Sequence, residues 1–234
     1  MRVQDLLWGK GPKLHQSAGV PHSWQVSDDV LQFIDGHVTQ ETSTLETGAG
    51  VTTVLFAISG SKHTCIVPFV DEVDRIKAFC AEHGISLANV TFVIERSEFA
   101  LPRLDPGQLD LVLIDGAHGF PSPLIDWYFT ADRLRVGGYL VLDDTWLWSV
   151  NVLKQFLMQE PEWRLYRDMW PRSAIFSKVG DASSAKNEFA QPFVVTQTVN
   201  LLFPDNIHLI RPFVSPGLLE SALETLRHQI DDGS

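Results

Sequence analysis

The sequence predicts an α/β fold, an open and mostly parallel sheet with helices on both faces, and three observations carry that reading. Short apolar runs alternate with helically spaced segments from Thr44 to about Asp144, the rhythm of successive β-α units. Leu109 to Ile114 is nearly continuous apolar apart from Asp110, and Tyr139 to Leu142 is fully so, as strands covered on both faces should be. After Asp144 the rhythm changes. Trp163 to Tyr166 and Ala174 to Val179 read as strands with too few residues between them for a crossover helix, so they form an antiparallel pair at one sheet edge.

The elements follow in order. Ser27-Asp28-Asp29 begins a helix carrying Val30, Phe33 or Ile34, and Val38 at helical spacing. Thr44 to Glu46 is a short strand, Gly48-Ala49-Gly50 a turn, and Val51 to Ile58 a buried helix despite its β-branched content. Thr64 to Val67 is the second strand. Asp71 to His83 is a helix with Val73, Ile76 and Cys80 on one face and Gly84 at its stop. Val90 to Ile94 is the third strand, Ser97 to Leu104 a short helix, and Leu109 to Ile114 the fourth strand. Pro123 to Leu134 is a helix with proline in its first turn. Tyr139 to Leu142 is the fifth strand and Val150 to Gln159 a helix. Gly180 to Asn187 is small and polar, a linker. Beyond it, Pro216 to Ile230 is a helix with Leu219, Leu223, Leu226 and Ile230 on one stripe. The organisation is an N-terminal helical segment (1–41), a core (42–180) and a C-terminal extension (181–234) that packs on the core and offers a homo-oligomeric contact.

Composition sets the class of partner. With 234 residues, 44% hydrophobic and 20% charged, the chain buries a full core without staples. A formal charge of -11 repels phosphate backbones and anionic lipid, so neither nucleic acid nor a membrane surface is expected. Two cysteines, Cys65 and Cys80, make no disulfide framework, and no apolar run is long enough to span a bilayer. A reducing, cytoplasmic compartment is the expectation.

In an open parallel sheet, ligands bind beyond the carboxyl ends of the strands, where strand order switches. Three segments fall there. Glu46-Thr47-Gly48-Ala49-Gly50 turns the first strand into a helix whose amides can receive polar groups, and Glu46 favours a cationic ligand over pyrophosphate; a plain structural turn is the other reading. Asp115-Gly116-Ala117-His118 ends the fourth strand with an acid whose burial needs a partner and a histidine able to take a proton near neutral pH. A surface or loop-packing histidine is the alternative. Asp143-Asp144-Thr145 ends the fifth strand. With Asp115, these carboxylates either hold a hard cation such as Mg²⁺ or cap the next helix. Trp127, Tyr128, Trp146 and Trp148 either wall a site for a planar acceptor or pack helices on the sheet.

Together, Leu109 to His118, Asp126 and Arg135 to Thr145 resemble the class I S-adenosylmethionine-dependent methyltransferases, in particular the small O-methyltransferase-like branch. The likeness covers roughly Thr42 to Val179. It implies a Rossmann-like sheet of seven strands whose last hairpin is antiparallel. By the same resemblance, Glu46, Gly48 and Gly50 line the methionine end of the cofactor, Ser97 lies near the adenine, and Asp115 sits beside the sulfonium. Asp115, Asp143 and Asp144 would hold Mg²⁺, and His118 would be the general base acting on a small hydroxylated acceptor.

Three positions depart from the pattern. Thr52 replaces a third glycine, Val67 stands where an acid would bind the ribose, with Asp71 or Glu72 as substitutes, and Glu95-Arg96-Ser97 replaces Gly-Asp-Ser. A catalytically silent binding or assembly protein of the same fold is therefore the second reading. A nicotinamide-dependent oxidoreductase is a third, disfavoured because the full G-x-G-x-x-G is missing and Asp143-Asp144 would have no task.

Overall fold

A computed structural model describes residues 7–9, 11–181 and 187–231, with side chains undescribed at 17 and 229–231. Most of the expected linker Gly180 to Asn187, the last three residues and the Ile230 side chain lie outside the described residues. Seven strands form one sheet in the order β5-β4-β3-β6-β7-β9-β8. They are β3 (Ser43–Thr47), β4 (Lys62–Ile66), β5 (Val90–Val93), β6 (Leu109–Ile114), β7 (Leu134–Asp143), β8 (Trp163–Met169) and β9 (Ser173–Lys178). β3 through β7 run parallel, β9 is antiparallel to β7, and β8 is antiparallel to β9. The predicted parallel sheet with an antiparallel edge pair is present.

Alternation along the strands divides the core in two. Leu111, Leu113, Val141 and Ile175 face a cluster built with α1 (Asp28–His37), α2 (Val51–Ser59) and α3 (Val70–Glu82). Val112, Ile114, Leu140, Leu142 and Phe176 face the opposite cluster, built with α4 (Ser97–Ala100), α5 (Ser122–Ala131) and α6 (Trp148–Gln159). The period of 2 along each strand thus fills both layers from the same apolar runs. Asp110 is the exception in β6, and it has work to do. Its carboxylate accepts the Ser43 amide at 2.7 Å and pairs with Arg135, tying β3 and β7 to β6.

Several element boundaries differ from the sequence reading. The helix expected to run from Pro123 to Leu134 stops at Ala131, because Leu134 already pairs with Leu109 and begins β7. The strand is ten residues long instead of the four from Tyr139 to Leu142. Its irregular register is absorbed at Gly137, at φ +84°, and Gly138, where a side chain would come within 2.9 Å of the Asp110 carbonyl.

The segment 1–41 is not only helical. A hairpin of β1 (His15–Ser17) and β2 (Val20–His22) precedes α1, turning through Ala18 and Gly19, both at positive φ. Ser27 caps α1 as expected, its hydroxyl accepting the Val30 amide. In the C-terminal segment, α7 (Pro192–Leu202) packs against α8 (Pro216–Asp231) around Val195, Val199, Val214 and Leu219. Phe193 of α7 meets Phe156 of α6 with ring centres 5.6 Å apart, which joins this small cluster to the core. No helix among the described residues is long and apolar enough to cross a membrane.

Candidate active site

Strand order reverses between β3 and β6. Thr47 and Ile114, the last residues of these strands, are direct register partners, so Gly48 and Asp115 emerge side by side at the carboxyl edge. A cavity of about 750 Å³ opens there, across the ends of β3, β4, β6 and β7, where the topology places a ligand.

Gly48 makes that junction possible. It adopts φ +93°, and a Cβ on it would stand 2.3 Å from the Asp115 carbonyl oxygen. Only glycine combines that backbone with that approach. Gly50 is different: its place is under the His15 ring, where a Cβ would come within 2.9 Å of Cε1. His15 Nε2 lies 2.8 Å from the Ala49 carbonyl, so the N-terminal hairpin clasps the glycine turn. Gly50, expected to line the cofactor, is not among the residues that form the cavity wall.

Glu46 stands further back. It is buried behind the wall, and both of its oxygens are engaged inside the protein. Thr52 Oγ1 donates to Oε2 at 2.6 Å, Thr53 Oγ1 donates to Oε1, and His63 Nε2 lies 3.2 Å from Oε1. Thr53 Oγ1 also accepts the Gly50 amide at 3.0 Å. Glu46 thus anchors the glycine turn to β4 and α2. Thr52, at the third glycine position, has a defined task as one of its donors.

The other expected residues do face the cavity. Ser97, Asp115, His118, Asp143 and Asp144 all line it. Asp115 keeps a quarter of its side chain open but is ringed by protein. Burial first, then the negative fields of Asp143, Asp144 and Glu46, hold its carboxyl well above the usual carboxylate range, with Arg172 opposing. Burial also raises Asp143, offset in part by the Ser173 hydroxyl and Arg172. His118 stands between two acids, with Nε2 3.9 Å from Asp115 and Nδ1 3.9 Å from Asp144. Its Nε2 is buried with no hydrogen-bond partner among the described residues.

The three expected metal carboxylates do not converge. Asp143 accepts the Ser173 hydroxyl on one oxygen and faces Arg172 Nη2 at 3.6 Å with the other. Asp144 Oδ1 takes Trp146 Nε1 at 3.0 Å and Arg172 Nε at 3.4 Å. The group whose ligand atoms do gather, within 4.8 Å of one another, is Asp115, His118 and Asp144. Mg²⁺ demands near-octahedral oxygen ligation, and an imidazole beside two carboxylates, with a guanidinium already on one of them, does not fit it.

Sequence reasoning missed several contributors to the wall, among them His15, Trp24, Glu98 and Arg172. Glu98 pairs with Arg96 at 2.6 Å, so an acid does stand on the Ser97 side despite the Arg96 departure. Of the two substitutes for the absent acid at Val67, Glu72 lines the cavity and Asp71 is exposed. The aromatic residues divide. Trp127 packs in the core against Phe156, whereas Trp146 lines the cavity and Trp148, like Tyr128, is exposed.

Behind the wall, Asp126 is fully buried without a short hydrogen bond to either oxygen. Burial pushes its carboxyl up to about 6, against which the facing Ser97 and Thr47 hydroxyls act only partly. Unfolded, an aspartate titrates near 3.9. Between those values the folded state binds more protons, so stability falls as pH rises, by about 3 kcal/mol in total. Asp126→Asn is expected to gain about 1–3 kcal/mol over the wild type at pH 7 and little at pH 4. Urea unfolding at the two pH values checks this.

Residues 45–145 match the model of a family described as a methyltransferase domain. The matched stretch runs from β3 to the end of β7. Its span includes Gly48, Ser97, Asp115, His118 and the Asp143-Asp144 pair, while His15, Trp24 and Arg172 lie outside it. No curated protein matches the chain. Among solved structures, the O-methyltransferase TomG from Streptomyces achromogenes, in complex with SAM, is 14% identical. It superposes with a TM-score of 0.57 over 72% of this chain and 87% of its own. An rRNA methylase from Streptococcus thermophilus gives 14% identity and a TM-score of 0.52 over 65% of this chain and 95% of its own. Precorrin 8W decarboxylase from Methanobacterium thermoautotrophicum gives 14% and 0.53 over 70% and 96%. Likeness at this level establishes the fold alone, and these neighbours carry different chemistries on it.

Proposed function

We propose that the chain is an S-adenosylmethionine-dependent methyltransferase acting on the oxygen of a small hydroxylated acceptor. The observation that carries this reading is the meeting of Gly48, Asp115 and His118 at the switch in strand order, within the stretch that matches the methyltransferase-domain family. The donor set suits that cofactor. Asp115 and its acidic neighbours favour a sulfonium, Glu72 and His15 supply polar groups for hydroxyls, and Ser97 and Glu98 line the same cavity. When bound, the cofactor supplies an electrophilic methyl group on a positively charged sulfur.

The rest is work for the protein's own side chains. Trp24, Phe69 and Trp146 line the cavity yet remain exposed, an apolar margin suited to the body of an acceptor. His118 would take the proton of an acceptor hydroxyl, leaving the oxygen free to receive the methyl group that the cofactor would supply. Asp115 and Asp144, facing the two ring nitrogens, stabilise the imidazolium that forms. Holding acceptor and methyl group in line supplies most of the acceleration, since orientation alone is worth about 7–11 kcal/mol.

Methyl-labelled S-adenosylmethionine incubated with a panel of phenols and catechols tests the assignment. Transfer to oxygen is expected with the wild type, falling by about 10²–10⁴-fold in His118→Ala. Label transferred with equal speed by that variant would remove His118 from the mechanism, and label found on nitrogen or carbon would overturn the acceptor class.

A further inference from the structure

We propose that Arg172 is the resident cation of this active site and holds, between Asp143 and Asp144, the place a divalent metal would otherwise take. The inference rests on reading the cavity as a methyl-transfer site. It starts from an imbalance: three acids, Asp115, Asp143 and Asp144, crowd the cavity wall at the carboxyl edge of the sheet. Asp143 is 1% exposed, and a carboxylate so buried needs a compensating charge. Arg172 is the cation that the structure brings to it. Nη2 lies 3.6 Å from Asp143 Oδ2, and Nε lies 3.4 Å from Asp144 Oδ1.

The fold presents this guanidinium deliberately. Arg172 lies in the short connection between β8 and β9, and its carbonyl accepts the Thr145 amide at 2.9 Å. Thr145 Oγ1 donates to the neighbouring Pro171 carbonyl at 3.0 Å. The loop carrying the arginine is thereby fastened to the residue that follows the acid pair. Nη2 also donates to the Gln25 carbonyl at 2.9 Å, fixing the segment that carries Trp24 over the same cavity.

Two consequences follow. A guanidinium stays charged at any working pH and offers five donors, so it compensates the acids permanently and repels an incoming divalent ion. It also lines the cavity, where a fixed positive charge stabilises an acceptor oxygen that is losing its proton. Arg172 thus does by side chain what the resemblance assigns to Mg²⁺, and Asp143 and Asp144 are its counter-ions.

Binding of Mn²⁺ to the full chain, followed by electron paramagnetic resonance, tests this without an acceptor. The wild type is expected to take up no stoichiometric Mn²⁺, with or without S-adenosylmethionine. Arg172→Gln should bind one ion per chain at least about tenfold more tightly, the acid pair being released. Arg172→Lys should behave as the wild type, and adding Asp144→Asn to Arg172→Gln should abolish the gain. Near-ultraviolet circular dichroism verifies folding, and Arg172→Met replaces any variant that fails. One Mn²⁺ per wild-type chain overturns the proposal, as does an absence of gain in both neutral variants. A titration with S-adenosylmethionine on the same samples separates the two ideas. Failure to bind it, with the Mn²⁺ pattern intact, overturns the function and leaves Arg172 as the cation.

Discussion

Glu46→Ala should cost about 3–5 kcal/mol of stability, because it strands buried donors instead of merely removing a charge. Thr52, Thr53 and His63 all direct polar hydrogens at this carboxylate, and all are buried. The His63 ring, stacked on Phe56 at 4.2 Å and 2.8 Å from the Thr44 hydroxyl, has no open water to turn to. Glu46→Gln keeps the shape and one strong acceptor, and either threonine hydroxyl can rotate to receive its amide. Its cost should be nearer about 1–2 kcal/mol. Urea unfolding of the two variants under one set of conditions makes the comparison. Equal costs would mean that Glu46 serves as a ligand contact and not as the anchor of the glycine turn.

Gly48→Ala is the second large effect, and its cause is steric. The left-handed backbone costs an alanine about 1–3 kcal/mol, and the new Cβ at 2.3 Å from the Asp115 carbonyl forces β3 and β6 apart. We expect a total of about 2–5 kcal/mol. The displaced atoms are the mouth of the cavity itself, so a folded Gly48→Ala chain should also lose cofactor affinity. Gly19, in the exposed hairpin turn, provides the control. It has a similar positive φ but nothing within 4 Å of a Cβ, so Gly19→Ala carries only the backbone part of the cost and leaves the cavity alone.

These two residues show what one-dimensional reading can and cannot reach. Gly48, Asp115, His118 and the Asp143-Asp144 pair were legible because parallel strands are apolar runs, and chemistry collects at their ends. Glu46 looked the same in sequence, but its fate depends on Thr52 and Thr53 from α2 and on His63 from β4, a convergence that no spacing along the chain reveals. Asp143 and Asp144 were similarly indistinguishable until Ser173, Arg172 and Trp146 were seen to occupy them. His15, Trp24 and Arg172 sit outside the recognisable stretch, on a three-residue strand, a loop and a tight connection, where no periodicity operates. The one available signal was Gly19 after Ala18, which marks a two-residue turn. α7 escaped for another reason: Pro-Phe-Val-Val-Thr-Gln-Thr-Val is rich in β-branched residues, and packing against α8 overrides that local preference.

The central claim is that a sulfonium nucleoside occupies the cavity where Gly48 and Asp115 meet. Calorimetric titration of the full chain with S-adenosylmethionine tests it most directly. The account predicts one site per wild-type chain, with affinity on the order of micromolar, weakened at least about tenfold in folded Gly48→Ala. No binding by the wild type at millimolar ligand would contradict it.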